Sequence, residues 1–145
     1  TPTTATACGK GTTCGPTPAP TITSVPTVTP VPTSAYNASS FSALSALCQV
    51  DNADITVTGD ITFTDQITIS GVTVSITSTT GATLTSDRGF SANFGGMLYI
   101  NGATVTLSGL HFVSGSASDR GGCIHATESD LIVNNSSLTE CDAVS

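Results

Sequence analysis

An internal repeat constrains the fold of this chain more than any other feature. The segment Gly95-Gly96-Met97-Leu98-Tyr99 recurs as Gly121-Gly122-Cys123-Ile124-His125, an offset of 26 residues. The same offset, without gaps, brings further residues into correspondence: Val105 with Leu131, Leu107 with Val133, Phe112 with Leu138, Ala117 with Ala143 and, as a mismatch, Leu110 with Ser136. A repeat of this length predicts stacked structural units, because one unit alone cannot bury its apolar side chains.

Short runs of alternating residues predict the strands within these units. Apolar and hydroxylic residues alternate in Ile55–Val57, Ile61–Phe63, Ile67–Ile69, Val74–Ile76 and Ala82–Leu84. Period-two alternation sends successive side chains to opposite faces, and threonine suits the outer face because it is both β-branched and polar.

Stacking of the repeats predicts which residues are neighbours. We expect about three short strands per repeat, and three stacked pairs: Leu98 on Ile124, Val105 on Leu131, and Phe112 on Leu138. A Gly-Gly pair at the same place in each repeat suits a corner that needs a positive φ.

A short helix is predicted before the strands. The apolar residues of its one face are Phe41, Leu44, Leu47 and Cys48. Ser39 or Ser40 can accept a hydrogen bond from the first turn as the N-cap. Two to three turns are marginally stable alone, so the apolar face is expected to cover other structure.

The first 34 residues differ in composition from the rest, which predicts two regions: an extended arm over 1–34 and a β-rich domain over 35–145. All seven prolines lie between Pro2 and Pro32, and such density favours polyproline II over helix or strand. Thr/Pro composition is typical of O-glycosylated stalks. The alternative is an unmodified disordered linker. The candidate O-glycosylation sites are Thr3, Thr17, Thr21, Thr27, Thr29, Thr33, Pro18, Pro20, Pro30 and Pro32.

Charge excludes several classes of partner. Only 9% of residues are charged, the net charge is −7, and the basic residues are Lys10, Arg88 and Arg120. Binding to nucleic acid or to anionic lipid needs more cations than these. There is no apolar run of 18 residues that would span a membrane. No residue pattern predicts a cofactor or a metal site.

The five cysteines favour an oxidising, extracellular compartment. Cys8 and Cys14 enclose a short segment and are predicted to form a small disulfide, with two free thiols as the alternative. Cys123 aligns with Met97 in the repeat, which predicts a side chain in the core. Cys123 and Cys141 are either buried thiols or a disulfide.

The repeat pattern Gly-Gly-x-[Leu/Ile]-x, followed by alternating aliphatic residues, resembles right-handed parallel β-helix proteins of the pectin-lyase-like class. It is most similar to the non-enzymatic, cysteine-containing repeats of polymorphic-outer-membrane-protein type and of algal surface proteins. The resemblance covers about residues 35–145 and implies that the Phe41–Cys48 helix caps the core. The arm separately resembles the hydroxyproline-rich glycoproteins of algal walls, in composition only.

Several local motifs are candidate sites. Three N-glycosylation sequons begin at Asn37, Asn134 and Asn135. Ser86-Asp87-Arg88-Gly89 recurs as Ser118-Asp119-Arg120-Gly121. This motif is either a carbohydrate or calcium contact, or a turn built on the pairs Asp87–Arg88 and Asp119–Arg120.

The two histidines are interpreted as surface residues. The alternation around His111 predicts that it points outward, between Leu110 and Phe112. His125 is the repeat equivalent of Tyr99, and an aromatic ladder that contacts sugars is the alternative interpretation. No Ser/His/Asp arrangement follows from the spacing.

Catalysis is not predicted. The acidic residues are scattered along the chain, and neither Asp60 with Asp65 nor Glu128 with Asp130 has a neighbouring Lys or Arg to complete a lyase site. The favoured function is an extracellular structural glycoprotein that self-associates head to tail into a filament or a surface coat. The alternatives are a polysaccharide-binding or polysaccharide-cleaving β-helix and an adhesin passenger fragment.

Overall fold

The computed structural model describes residues 34–87, 92–94 and 96–143. The arm with its O-glycosylation candidates, the predicted Cys8–Cys14 disulfide, and Arg88 lie outside the described residues. The described chain is mostly β-structure in parallel sheets, with one short helix. The all-β class predicted from the alternation is therefore confirmed.

The elements follow one another along the chain with short connections. In order they are β1 (Ser34–Ala38), α1 (Phe41–Leu47), β2 (Ala53–Val57), β3 (Ile61–Phe63), β4 (Ile67–Ser70), β5 (Thr73–Ser86), β6 (Ala92–Phe94), β7 (Leu98–Asn101), β8 (Thr104–Val113), β9 (Ser116–Arg120), β10 (Ile124–Thr127), β11 (Asp130–Asn134), β12 (Ser137–Thr139) and β13 (Asp142–Ala143).

Two runs that the alternation separates, Val74–Ile76 and Ala82–Leu84, belong to one long strand, β5. This strand bends where its register with β8 shifts between Thr77 and Ala82. Gly81 supplies a φ of +76° in the bend, a backbone conformation that costs glycine little. The prediction of two separate strands is wrong because hydrogen bonding to β8 resumes directly after the bend.

The described strands form three sheets, and every pairing among them is parallel. Sheet A has the order β1-β2-β5-β8-β11, with β3 also paired to β5 and β12 also paired to β8. Sheet B has the order β10-β7-β4, and sheet C has the order β13-β9-β6. From β4 onward the chain visits the sheets in a constant order, B, A and then C, so residues one repeat apart meet as neighbours.

The register confirms the neighbours that the repeat predicts. Leu98 pairs with Ile124, Val105 with Leu131, Phe112 with Leu138, and Ala117 with Ala143. Earlier pairs are separated by more residues, as with Ile67 and Leu98, or by fewer, as with Ala53 and Val74. These changes in connection length explain why only the last two units are visible as a repeat.

The mismatched pair Leu110 and Ser136 has a physical explanation. The Ser136 hydroxyl accepts a hydrogen bond from the Leu110 backbone N–H at 3.1 Å and donates one to the Asn134 carbonyl oxygen at 2.8 Å. The Ser136 side chain therefore satisfies backbone groups at the turn after β11 instead of filling the core.

The core lies between the sheets and consists of the inward side chains of the alternating runs. Strands β2, β3, β4, β5, β7 and β8 contribute the following buried side chains larger than alanine: Ile55, Val57, Ile61, Phe63, Ile67, Ile69, Val74, Ile76, Leu84, Leu98, Ile100, Val105, Leu107, Leu110 and Phe112. Burial of this apolar surface is the main stabilising contribution to a fold with so few charges.

Helix α1 begins and packs as the sequence predicts. Ser40 is the N-cap, and its hydroxyl accepts from the Ala43 N–H at 3.3 Å. Leu44 and Cys48 are buried, and the Phe41 ring packs edge-on against Phe63 with centroids 5.3 Å apart. The helix contacts β1, β2 and β3. Across the described residues, no helix has the length and apolar character needed to cross a membrane.

Candidate functional surfaces

Three aromatic rings gather on the outer side of sheet B. Tyr99 in β7 and His125 in β10 are paired in register, so their side chains leave the sheet side by side. Phe94, the last residue of β6, adds a third ring from the neighbouring sheet C. We call Phe94, Tyr99 and His125 the aromatic cluster.

The rings of the aromatic cluster are nearly parallel. The Tyr99 and His125 centroids are 5.8 Å apart with an interplanar angle of 16°. The Phe94 centroid lies 5.4 Å from that of His125 and 6.2 Å from that of Tyr99, with angles of 34° and 31°. Phe94 is 39% exposed, while Tyr99 and His125 are half-buried.

The repeat predicts that Tyr99 and His125 are neighbours, but it does not predict that a third ring lies beside them. Phe94 pairs with Arg120 in the register of sheet C, so the repeat offers no aromatic equivalent. The side-chain amide of Gln66 donates a hydrogen bond to the Phe94 carbonyl oxygen, which joins β6 to the segment before β4. Such a contact between distant segments leaves no signal in the local sequence.

A second surface lies at β11 and β12, where the inward side chains are less covered than in earlier strands. Val133 is 41% exposed and Leu138 is 48% exposed, although their partners Leu107 and Phe112 are fully buried. Leu131 is half-buried against the core. We call Leu131, Val133 and Leu138 the end row.

Cys123 and Cys141 form a disulfide, one of the two alternatives that the sequence leaves open. The Cα atoms are 5.0 Å apart, and Cys123 is buried. The bond joins the start of β10 to the connection between β12 and β13, so it ties the last strands to the core.

Cys48 is a free, buried thiol at the end of α1. Burial raises the pKa of this thiol to about 12, because the thiolate would lose its hydration in the apolar core. This environment is that of an inert structural cysteine rather than of a nucleophile.

The sequons are accessible. Asn37 is an exposed residue near the end of β1. Asn134 ends β11 and is exposed, and Asn135 follows it with a φ of 46° in the turn. Each side chain reaches solvent, as attachment of a glycan requires.

The Asp119–Arg120 pair lies at the end of strand β9, and the turn begins one residue later, at Gly121 with a φ of +67°. The Arg120 Nε and Asp119 Oδ1 atoms are 3.8 Å apart, and both side chains are largely exposed. Solvent screens such a pair, so it contributes little to stability. Asp87, in the first copy of the motif, is also exposed.

His111 is exposed on β8, as the alternation predicts. Its Nδ1 atom lies 2.8 Å from the Ser137 hydroxyl oxygen on the adjacent strand β12. The residue thus adds a hydrogen bond to an outer row of the sheet.

Two acidic side chains accept hydrogen bonds from the backbone of a neighbouring strand. Asp51 accepts from the Thr73 N–H at 2.8 Å, and Asp60 accepts from the Thr83 N–H at 2.7 Å. These carboxylates satisfy backbone groups at the start of each part of β5. The sequence does not reveal this role, since the partners are more than 20 residues apart.

A shallow cavity of about 380 Å³ is lined by Ser114, Gly115, Ser116, Glu140 and Asp142. The Ser114 hydroxyl donates to Glu140 Oε2 at 2.8 Å. Within the described ranges, no three His, Cys, Asp or Glu side chains are grouped closely enough to hold a metal ion.

The chain matches no protein-family model, no curated protein and no solved structure.

Proposed function

We propose that this chain is an extracellular structural glycoprotein, a subunit of a filament or a surface coat. In this proposal residues 35–145 wind as a right-handed parallel β-helix of the non-catalytic, pectin-lyase-like or polymorphic-outer-membrane-protein type, and α1 caps one end of the core. The constant order in which the chain visits sheets B, A and C supports this architecture. So does the register of residues that are one repeat apart.

The end row is the observation that carries the proposal of assembly. Its side chains occupy core positions, yet Val133 and Leu138 remain about as exposed as surface residues. Within the part of the chain that the structure describes, β1 and β11 lie at the two ends of the strand order β1-β2-β5-β8-β11 of sheet A, and each is paired on one side only, as β3 and β12 also are. A parallel strand added to β11 would cover Leu131 and Val133 and pair the free backbone groups of β11; Leu138, in β12, would need cover from the segment that follows this strand.

The occupant that we propose for this edge is strand β1 of a second copy. All strands of sheet A are parallel, so β1 of the next copy can continue the sheet without a change of direction. Such a contact is heterologous and generates a filament rather than a closed dimer.

Glycosylation and an extracellular location are supported by three features. The sequons at Asn37, Asn134 and Asn135 reach solvent, the Cys123–Cys141 disulfide suits an oxidising compartment, and charged residues are too few to solvate the surface alone. Intact mass measurement on the native protein tests this part of the proposal. A mass above the 14.4 kDa of the polypeptide that falls on deglycosylation is expected, and an unmodified chain would contradict it.

Assembly is tested with two lysine substitutions in the same strand. Val133→Lys places a charge in the end row, where the next copy would bury it, and is expected to abolish filaments. Ile132→Lys is the matched control, because Ile132 is 50% exposed, points to the outer face and would stay in solvent after stacking. Light scattering and electron microscopy of the full chain measure the outcome. A wild-type protein that remains monomeric at high concentration, or equal effects of both substitutions, would refute the proposal.

A further inference from the structure

We infer that the aromatic cluster is a binding site for a neutral polysaccharide, and that the ligand is a glucan with equatorial hydroxyls. This inference goes beyond the proposed structural role and does not depend on assembly. It rests on the combination of ring geometry, exposure, neighbouring polar groups and charge at one surface of sheet B.

The exposure of the cluster is unusual within this protein. The large hydrophobic side chains that are exposed in the described residues are Phe94, Ile132, Val133 and Leu138. The last three lie in β11 and β12, so Phe94 is the one that the end of the sheet does not explain. Because Phe94 contacts the half-buried rings of Tyr99 and His125, the three side chains form one small apolar patch, the kind of surface that binds a ligand.

The geometry of the rings suits a sugar. Tyr99 and His125 are stacked, with centroids 5.8 Å apart and an interplanar angle of 16°, and Phe94 lies against both rings, with centroids 5.4 and 6.2 Å away. Phe94, at 39% exposure, is therefore the ring that a ligand contacts most directly, and the stacked pair supports it. A pyranose with equatorial hydroxyls presents axial C–H bonds on its flat faces, and these carry a small positive charge. They are therefore attracted to the negative face of an aromatic ring.

Polar side chains that can hydrogen-bond to sugar hydroxyls border the cluster. Thr68 of β4 is the register partner of Tyr99 and points to the same side of sheet B. Asn101 and Thr127 are paired with each other and lie two residues beyond Tyr99 and His125 on the same face. Hydroxyls and an amide around an apolar surface are the composition of a specific carbohydrate site.

The lack of charge at this surface favours a neutral sugar over an anionic one. The outward residues of sheet B are Thr68, Ser70, Tyr99, Asn101, His125 and Thr127, and they carry no fixed charge. Arg120, the register partner of Phe94, has Asp119 3.8 Å away, so this pair adds no net charge. A polyanionic uronate or sulfated polymer would meet no excess of cations here, and the chain as a whole is acidic.

The inference is tested by calorimetric titration of the full chain at neutral pH with cellohexaose, and with polygalacturonate in parallel. We expect cellohexaose to bind and polygalacturonate to bind more weakly or not at all. Phe94→Ala and Tyr99→Ala should each weaken cellohexaose binding by about tenfold or more, the effect of losing a well-stacked ring.

Two variants separate ring stacking from general effects. Tyr99→Phe keeps the ring and should retain binding to within about threefold. Ile132→Ala removes an apolar side chain that is 50% exposed, more than Phe94, from another sheet and should leave binding unchanged. If Phe94→Ala does not fold, Phe94→Leu preserves the apolar volume without the ring and should still lose affinity.

The inference is overturned if the wild-type chain does not bind cellohexaose, if polygalacturonate binds more tightly at low salt, or if Ile132→Ala weakens binding as much as Phe94→Ala. Because a monomer can bind the sugar, failure of this test leaves the assembly proposal standing. Likewise, a protein that does not assemble could still bind the sugar, so failure of the assembly test leaves this inference standing.

Discussion

At the scale of single residues, the second glycine of the repeated Gly-Gly pair is required by close backbone approach. A Cβ on Gly96 would collide with the carbonyl oxygens of Gly122 and Ser116, and a Cβ on Gly122 would collide with backbone atoms of Cys141 and Asp142. Neither residue has a positive φ, whereas Gly121 does. The expectation that the pair serves a corner with a positive φ therefore holds for Gly121. The second glycine of each pair, Gly96 or Gly122, instead allows close contact between neighbouring backbone segments.

Substitution of Gly122 by alanine should lower the free energy of unfolding by about 1–3 kcal/mol, because the backbone segments that it separates must move apart. Gly59→Ala is the control, since its Cβ would meet no atom within 4 Å and its φ is not positive. That variant should stay within about 0.5 kcal/mol of the wild type. Urea denaturation of both variants measures the difference, and equal stabilities would contradict the close-contact argument.

The buried thiol of Cys48 should make the stability of the protein depend on pH. Its pKa is raised to about 12 in the folded protein, against roughly 8.5 for an exposed thiol in the unfolded chain. As the pH rises, the unfolded state therefore loses the thiol proton before the folded state does. The contribution of the buried thiol to the free energy of unfolding is fully present below about pH 8.5 and decreases as the pH rises toward 12. Stability of the wild type should fall more steeply between pH 8.5 and 10.5 than that of Cys48→Ala.

Alkylation provides an independent measurement on Cys48. With iodoacetamide at pH 8, peptide mapping should find Cys48 unmodified in the native protein and modified in denaturant, because the buried thiol remains protonated. Rapid modification of the native protein would show that the thiol is accessible.

At the scale of elements, strands and helix arise from different local signals. Alternation with period two places apolar side chains inward in β2, β3 and β4, and all of these inward residues are buried. In α1, spacing of three and four residues defines the buried face, and a serine begins the helix. The long strands β5 and β8 combine two such runs through a bend at a glycine with positive φ.

The helix start can be tested by comparing two adjacent serines. Ser40→Ala removes the acceptor for the Ala43 N–H and should cost about 1 kcal/mol of stability. Ser39→Ala is the matched control, since Ser39 is exposed and Ser40 provides the N-cap. Both variants and the wild type are compared in unglycosylated form, because Ser39 also completes the Asn37 sequon. Thermal unfolding followed by circular dichroism distinguishes them, and a larger effect at Ser39 would assign the cap to that residue instead.

At the scale of the whole molecule, stability is organised by neighbouring strands. Each described strand pairs only with strands next to it in its sheet, so the last strands β11, β12 and β13 are held by β8, β9 and the Cys123–Cys141 disulfide. Their inward side chains are partly exposed, which lowers the contribution of burial there. We expect local opening at this end to need less free energy than opening around β5.

Loss of the disulfide should act mainly at this end. A double Cys123→Ala and Cys141→Ala variant removes a closed loop with a sequence separation of 18 residues, which is worth roughly 2–4 kcal/mol. Hydrogen exchange should accelerate in β12 and β13 and remain close to the wild-type rate in β2 and β5. Uniform acceleration across all strands would instead indicate a single cooperative unit.

The sequence by itself determined the features that depend on local periodicity and on the clear repeat. These are the all-β class, the inward and outward side chains, the helix with its buried face, and the pairing of Leu98 with Ile124. Local patterns suffice for them because strand and helix geometry repeat every two or 3.6 residues, whatever the rest of the chain does.

Only the tertiary structure decided the contacts between segments whose separation varies. Three features are of this kind. Phe94 contacts Tyr99 and His125, the carboxylates of Asp51 and Asp60 accept hydrogen bonds from the backbone of β5, and Cys123 forms a disulfide with Cys141. They depend on how far each connection carries the chain before the next strand begins. That length changes from one unit to the next, so the linear sequence does not specify which side chains meet.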